Sequence, residues 1–419
     1  MVSGVIVNQQ AQKYRFVIAG LTMLMNFTLG LSFFSVAPVT PLIMDEYGIN
    51  RTTVSLLTGL VILVQTFFAI PGGALVGRIG LKKLIGIAWL LSAMPALTFL
   101  ADSFVVLLAL RVLYALSFAL IIPAFGVLLM QWFKPKELPL INGLNMAVGT
   151  SGVSLSVFTA VPLSNLMGWQ GTVSLFGATA LVGALAWLIF GKTSEVSVAK
   201  QNYLPLSEIV GVMRSKQTIL LALADAGPFS LFVALTAWLP TFYFEVHDMS
   251  LERSGLLVGL LPFIGIFSVL AAGILALKIT KRRPFLMIPG LLVGIGGFGA
   301  FLLVDTFALY PALLLLGFGA WFYLPILLTI PLEAPDADPQ RVPFVMAAIM
   351  SFGGILAFLS PLTVGMLADV TGTYTIGFSI FTVLSWSLLV AGYLMPETGV
   401  RQDVGLADSA YEKSKTDSA

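Results

Sequence analysis

Two charged side chains stand well inside long apolar runs: Arg111 and Asp225, out of 42 charged residues in the 419-residue chain. A charge at the centre of a bilayer is costly and normally faces a cavity or a partner. A guanidinium meets a carboxylate or an oxyanion through two parallel hydrogen bonds, so Arg111 suits an anionic solute. Asp225 suits a group that gains and loses a proton as its surroundings alternate between wet and dry. Structural alternatives stand beside both readings. Arg111 could bond backbone carbonyls, and Asp225, near the start of its run, could serve as a dipole or cap partner. Tyr114 lies one turn from Arg111 on the same helical face. The amides Asn26, Gln65 and Asn145 could line a cavity with them, although amides on apolar helices also act as interhelical glue. Asn142 falls near a helix end, Trp238 and Tyr243 suit an aromatic belt, and His247, the only histidine, falls in a loop with Glu245 and Asp248.

The elements that must position these groups are membrane spans. Apolar residues make up 58% of the chain and charged residues only 10%, against about 25% charged in soluble domains. Twelve runs are long and apolar enough to cross a bilayer: 16–39, 54–75, 84–100, 104–130, 140–163, 173–190, 219–242, 256–277, 285–304, 307–330, 345–367 and 376–394. Inside lipid the backbone must satisfy its own hydrogen bonds, so these runs are helices. At 1.5 Å per residue Arg111 falls about 10 Å below one boundary and Asp225 about 9 Å from the other. A direct pair then needs tilted or broken helices, and Gly227-Pro228 offers such a break.

Of the 22 Lys and Arg residues, nineteen fall on one side, Arg51 and Arg253 on the other, and Arg111 within a span. By the positive-inside rule both termini are cytoplasmic. The Asn50-Arg51-Thr52 sequon sits in an outer loop too short and too near the membrane for an acceptor.

A shift of 200 positions lays the second half of the chain on the first. Gly59-Leu60 falls on Gly259-Leu260, Gly73 on Gly273, Arg78 on Lys278, Lys82-Lys83 on Arg282-Arg283, and Met146-Ala147 on Met346-Ala347. Two copies of one bundle imply a pseudo-two-fold axis along the membrane normal, with a solute site between the halves. The expected organisation is a leader (1–15), a six-helix bundle (16–190), a linker (191–217), a second bundle (218–395) and a tail (396–419).

Over residues 16–395 the chain resembles the major facilitator superfamily. The likeness rests on Gly73-Ala74-Leu75-Val76-Gly77-Arg78-Ile79-Gly80-Leu81-Lys82-Lys83 after the second run, and on its weaker copy from Gly273 to Arg283. It rests also on Arg111 in Leu110-Arg111-Val112-Leu113-Tyr114, on Gly168-Trp169-Gln170 and on Pro396-Glu397-Thr398-Gly399. The resemblance implies a cytoplasmic gate made by Gly73, Arg78, Gly80, Lys82, Lys83, Lys278 and Arg282. Gly77 stands where the family carries an Asp that helps latch the halves. The competing reading of this loop is a topology signal and a tight turn. The Trp238-Leu239-Pro240-Thr241 run resembles anion porters of the superfamily. The segment 148–153 lacks the proline of its drug antiporters.

There is no Cys, no HExxH or GxSxG motif and no P-loop, which excludes thiol chemistry, the common hydrolases and direct use of ATP. The hydrophilic segments, about 25 residues at most, are too short for a folded soluble domain. The expectation is an all-α integral membrane protein of twelve transmembrane helices in two pseudo-symmetric six-helix bundles. It is expected to be monomeric in the cell membrane and to need no cofactor, metal or nucleic acid. Its expected function is secondary transport by alternating access, with proton-coupled uptake of a small anion. A drug or metabolite exporter and a non-transporting receptor on the same scaffold are the alternatives.

Overall fold

The structure, a computed structural model, describes residues 9–134, 137–193, 206–276, 278–333 and 342–398. Residues 1–8 of the leader, 194–205 of the linker and 399–419 of the tail lie outside the described residues. The described residues form helices and turns, with no strand among them. Ten crossings read directly from helix bounds: α1 (Gln9–Phe33), α2 (Leu56–Ile79), α3 (Leu81–Leu100), α4 (Phe104–Trp132), and, after a pair discussed next, α7 (Lys216–Val246), α8 (Leu251–Ala276), α9 (Pro284–Leu302), α10 (Leu309–Leu327), α11 (Val342–Thr371) and α12 (Thr375–Leu394).

The remaining pair is one helical stretch, Leu138–Phe190, of 53 residues. That is more than twice what about 30 Å of hydrocarbon requires. It is divided at Gly168, whose φ of 74° and ψ of 163° no helix contains. Side chains of ordinary residues resist that φ, so glycine supplies the reversal. The arms are α5 (138–167) and α6 (169–190). On α5, Asn145 bonds Asn26 of α1. On α6, Trp187 donates to the Lys82 carbonyl at the start of α3, while Gly177 lies against Pro95 and Ala96 at its far end. The two arms therefore run in opposite directions. Eleven uninterrupted apolar stretches among the described residues thus make twelve crossings.

Lipid provides no hydrophobic force between helices, so close approach through small residues replaces it. The duplication shows directly in one such contact. A Cβ on Gly259 of α8 would stand 2.5 Å from the Phe158 ring of α5, and a Cβ on Gly59 of α2 would stand 3.1 Å from the Phe358 ring of α11. Each residue of the first pair is 200 positions from one in the second. The two halves thus meet through α2–α11 and α5–α8, related by the pseudo-two-fold axis. Ser154 adds a hydrogen bond to the Gly259 carbonyl at 3.3 Å, and Ser55 one to the Pro361 carbonyl at 2.9 Å. The GxxxG spacing of Gly255 and Gly259 therefore serves the seam between halves, whereas Gly294, on α9, receives the Trp386 ring of α12 within one half.

Gly59→Val and Gly259→Val should each overpack this seam, lowering stability by about 1–3 kcal/mol. Thermal unfolding in detergent checks this, and the two variants should fall by similar amounts.

Candidate functional site in the bundle interior

α1 stops being helical after Phe33, and a short 3-10 turn, Ala37–Val39, carries the chain into Thr40–Tyr47. The last carbonyls of a helix have no partner within it. Arg111 of α4 takes them. Its Nη1 donates to the Ser32 carbonyl at 2.7 Å, its Nη2 to the Phe33 carbonyl at 2.7 Å, and its Nε to the Leu57 carbonyl of α2 at 3.0 Å. Tyr114, one turn away, donates to the Leu29 carbonyl at 2.5 Å and lays its ring 5.3 Å from the guanidinium. Both side chains are 1% exposed or less. The positive charge thus lies against the negative end of the α1 dipole. Three of the five guanidinium N–H groups are committed, leaving one on each terminal nitrogen.

Two turns along α1 is a second polar cluster. The Asn26 amide donates to the Thr22 carbonyl at 2.9 Å and to Asn145 Oδ1 of α5 at 3.2 Å. Asn145 is 6% exposed, and its Nδ2 donates to no described residue. Gln65 is half-buried on α2 and bonds no described residue; Asn142 is exposed.

In the other half Asp225 of α7 occupies nearly the same repeat position as Asn26, offset by 199. Its Oδ1 accepts from Tyr323 of α10 at 3.0 Å. Its Oδ2 lies where a Cβ on Gly353 of α11 would have to be, 2.4 Å away. Tyr323 interrupts α10 between Phe322 and Leu324. No ion pair reaches Asp225 from a described residue, and Arg111 does not meet it. Sequence reasoning missed Tyr323 and Gly353; the small residue opposite a buried acid is a signal visible only once α7 and α11 are paired.

Other expectations resolve into packing. Trp238 donates to the Pro361 carbonyl at 2.9 Å and Tyr243 to the Ala300 carbonyl at 2.7 Å, both inside the second half. Neither is in an aromatic belt, because both are fully buried. His247 pairs with Asp305 at 3.2 Å.

The two ends of the molecule differ. At the Arg51 end, hydrogen bonds and ion pairs join the halves. At the Arg78 end none does so among the described residues. Arg78, Lys82, Lys83 and Lys278 are exposed there, and Gly80 turns the chain with φ 83°. Side-chain placement at Gly73, Ala74, Val76 and Gly77 lies outside the description. Arg282 bonds the carbonyls of Ala276 and Ile279, and its backbone N–H reaches Glu397. Arg283 donates to the carbonyls of Met395 and Tyr393. These contacts stay within the second half. In the first half, Arg15 pairs with Glu137 at 3.0 Å. The Lys134 N–H, followed by Arg15, holds the Glu137 carboxyl below its usual range.

The family model described as Major Facilitator Superfamily matches residues 22–361. The chain belongs to that superfamily. A nitrite extrusion protein of Bacillus subtilis (strain 168) is 25% identical over 340 residues, covering 80% of this chain and 82% of the relative. The cyanate transport protein CynX of Escherichia coli (strain K12) is 25% identical over 360 residues, 85% of this chain and 91% of the relative. A probable sulfoacetate transporter of Cupriavidus necator is 24% identical over 409 residues, 92% and 94% respectively. Among solved structures, a bacterial homologue of the human lysosomal transporter Spinster, inward-facing and unoccupied, superposes with a TM-score of 0.71 at 16% identity. It covers 90% of this chain and 95% of that one, a likeness of fold. The protein is therefore an integral membrane transporter of this superfamily and not an enzyme.

Arg111→Ala should strand two buried carbonyls at the α1 break, Ser32 and Phe33, and remove the contact to Leu57 of α2, at a cost of about 1–3 kcal/mol for each acceptor left unsatisfied. A large fall in melting temperature, with Tyr114→Phe falling less, is the expected outcome of thermal denaturation.

Proposed function

We propose that the protein is a secondary active transporter that takes up a small organic or inorganic anion together with protons, working by alternating access. The observation that carries this reading is that two symmetric halves, packed through paired glycine seams, are joined by polar bonds of Arg51 and Thr52 at one end. One state of a rocking pair has that form, and the partner state follows from the same axis. The reading puts both termini in the cytoplasm, the Arg78 end facing inward, and a monomer in the cell membrane.

The relatives named for nitrite, cyanate and sulfoacetate support an anionic solute. So does the interior. Asn145 Nδ2 is a buried donor with no acceptor among the described residues, and a buried unpaired donor is a cost that an anion's oxygen removes. The two uncommitted Arg111 N–H groups add positive charge near the same helix. Tyr114, Asn26 and Gln65 complete the proposed solute site, and Asp225 is the proposed proton carrier. Gly73, Arg78, Gly80, Lys82 and Lys83, with Lys278 and Arg282, form the proposed inner gate. A second reading, outward movement of the anion, is favoured by the relative named for nitrite extrusion.

Uptake of labelled nitrite, cyanate and a short sulfonate into proteoliposomes tests this. An inside-alkaline pH gradient should drive accumulation of at least one of them. Asp225→Asn should abolish gradient-driven accumulation while solute exchange survives. Undiminished accumulation in that variant would remove Asp225 from coupling, and absence of any anion flux would remove the anion reading.

A further inference from the structure

The polar contacts at the Arg51 end do not repeat in the duplicated half. The positions 200 residues from Arg51, Asp369, Glu245 and Tyr374 hold Leu251, Trp169, Asp45 and Ser174. Trp169 donates to Glu46 at 2.5 Å and so remains in its own half. The Gly–Phe seam is symmetric; this network belongs to the α2–α11 side alone.

We propose that Asp369 of α11 caps the start of α2 across the boundary between the halves, and that Arg51, Glu245 and Tyr374 complete a latch holding this face shut. A helix start leaves its first N–H groups without partners. Here α2 is entered through the turn Arg51–Val54. Its own cap, Asn50, takes only the Thr53 N–H, at 2.9 Å. The Arg51 and Thr52 N–H groups go to the other half, to Asp369 Oδ1 at 3.3 Å and Oδ2 at 2.9 Å. The Thr52 hydroxyl adds a third bond to Oδ2 at 2.7 Å. The helix dipole favours a carboxylate at that place.

The Arg51 side chain then ties two more elements of the second half. Nη2 meets Glu245 at the end of α7 at 2.7 Å, Nη1 lies 3.5 Å from Asp369, and Nε donates to the Tyr374 hydroxyl at 2.7 Å. The Tyr374 hydroxyl in turn donates to Glu245 at 2.7 Å. Burial, and then the Glu245 carboxylate, push the Tyr374 phenol far above its usual range, so it remains a donor. Three side chains of the second half, Asp369, Glu245 and Tyr374, converge on the one turn that opens α2.

The charged groups are not deeply buried. Side-chain exposure is 34% for Arg51, 23% for Glu245 and 18% for Asp369. Water can take over their bonds when the halves part, and exposed ion pairs are individually weak. The network therefore biases the closed face without locking it, which a cycling transporter needs. The inference rests on the alternating-access reading, but its test reads accessibility and requires no transported solute.

The chain has no cysteine, so one introduced thiol reports alone. Ser55 is 5% exposed, directly below the network, bonded to the Arg51 and Pro361 carbonyls. In Ser55→Cys protein in detergent, a bulky water-soluble maleimide should label slowly. Adding Asp369→Ala or Arg51→Ala should raise the rate about fivefold or more, the population shift that losing one helix cap permits. If either variant fails to fold, Glu245→Gln decides, with a smaller increase in the same direction. Labelling rates unchanged in the folded variants would overturn the latch.

Discussion

Hydrocarbon gives helices no reason to associate except shape and hydrogen bonding, because lipid tails are as apolar as leucine. The two halves of this protein therefore depend on where their backbones can approach. Gly59 opposite Phe358 and Gly259 opposite Phe158 are those places. A ring seated against a glycine fixes register along the helix and leaves a narrow seam. Two such seams stand one on each side of the pseudo-two-fold axis. The polar interior and the joined Arg51 end are arranged about them.

Arg111 illustrates how lipid decides a residue's use. A guanidinium at this depth needs acceptors, and the broken end of α1 needs donors. Each answers the other, through the carbonyls of Ser32, Phe33 and Leu57. The charge is thereby fixed to the helix whose neighbouring turns carry Asn26 and Leu29. Any solute drawn to the residual N–H groups would feel a charge already anchored to α1. Solute binding and the bend in α1 would then be mechanically linked.

Much of the architecture was legible because hydropathy and repetition are local or additive. The twelve runs, the 200-residue shift and the conspicuous depth of Arg111 and Asp225 follow from the order of apolar and charged residues along the chain. The reversal between α5 and α6 is real, yet it needs a single glycine and no polar loop, so 164–172 reads as a gap although helix continues on both sides of Gly168. The acceptors of Arg111 were not legible, because a backbone carbonyl becomes free only where its helix ends. Nor was the pairing of Arg51, which counts in the sequence as one outer-loop charge; its partners lie 194 to 323 residues away. A separation of 98 residues likewise hides Tyr323 from Asp225. Trp238 and Tyr243 carry the chemistry of interface aromatics, but partners inside the second half buried them.

The central claim is that the halves rock about these seams, so that one end opens as the other closes. Pulsed electron double resonance on the cysteine-free chain measures this directly. One spin-label pair at Lys82 and Lys278 spans the Arg78 end; a second at Asp102 and Arg253 spans the Arg51 end, all four positions being exposed and divided between the halves. Addition of a transported anion with an imposed pH change should shorten one distance distribution while lengthening the other. Two distributions that stay fixed, or that move in the same direction, would contradict the account.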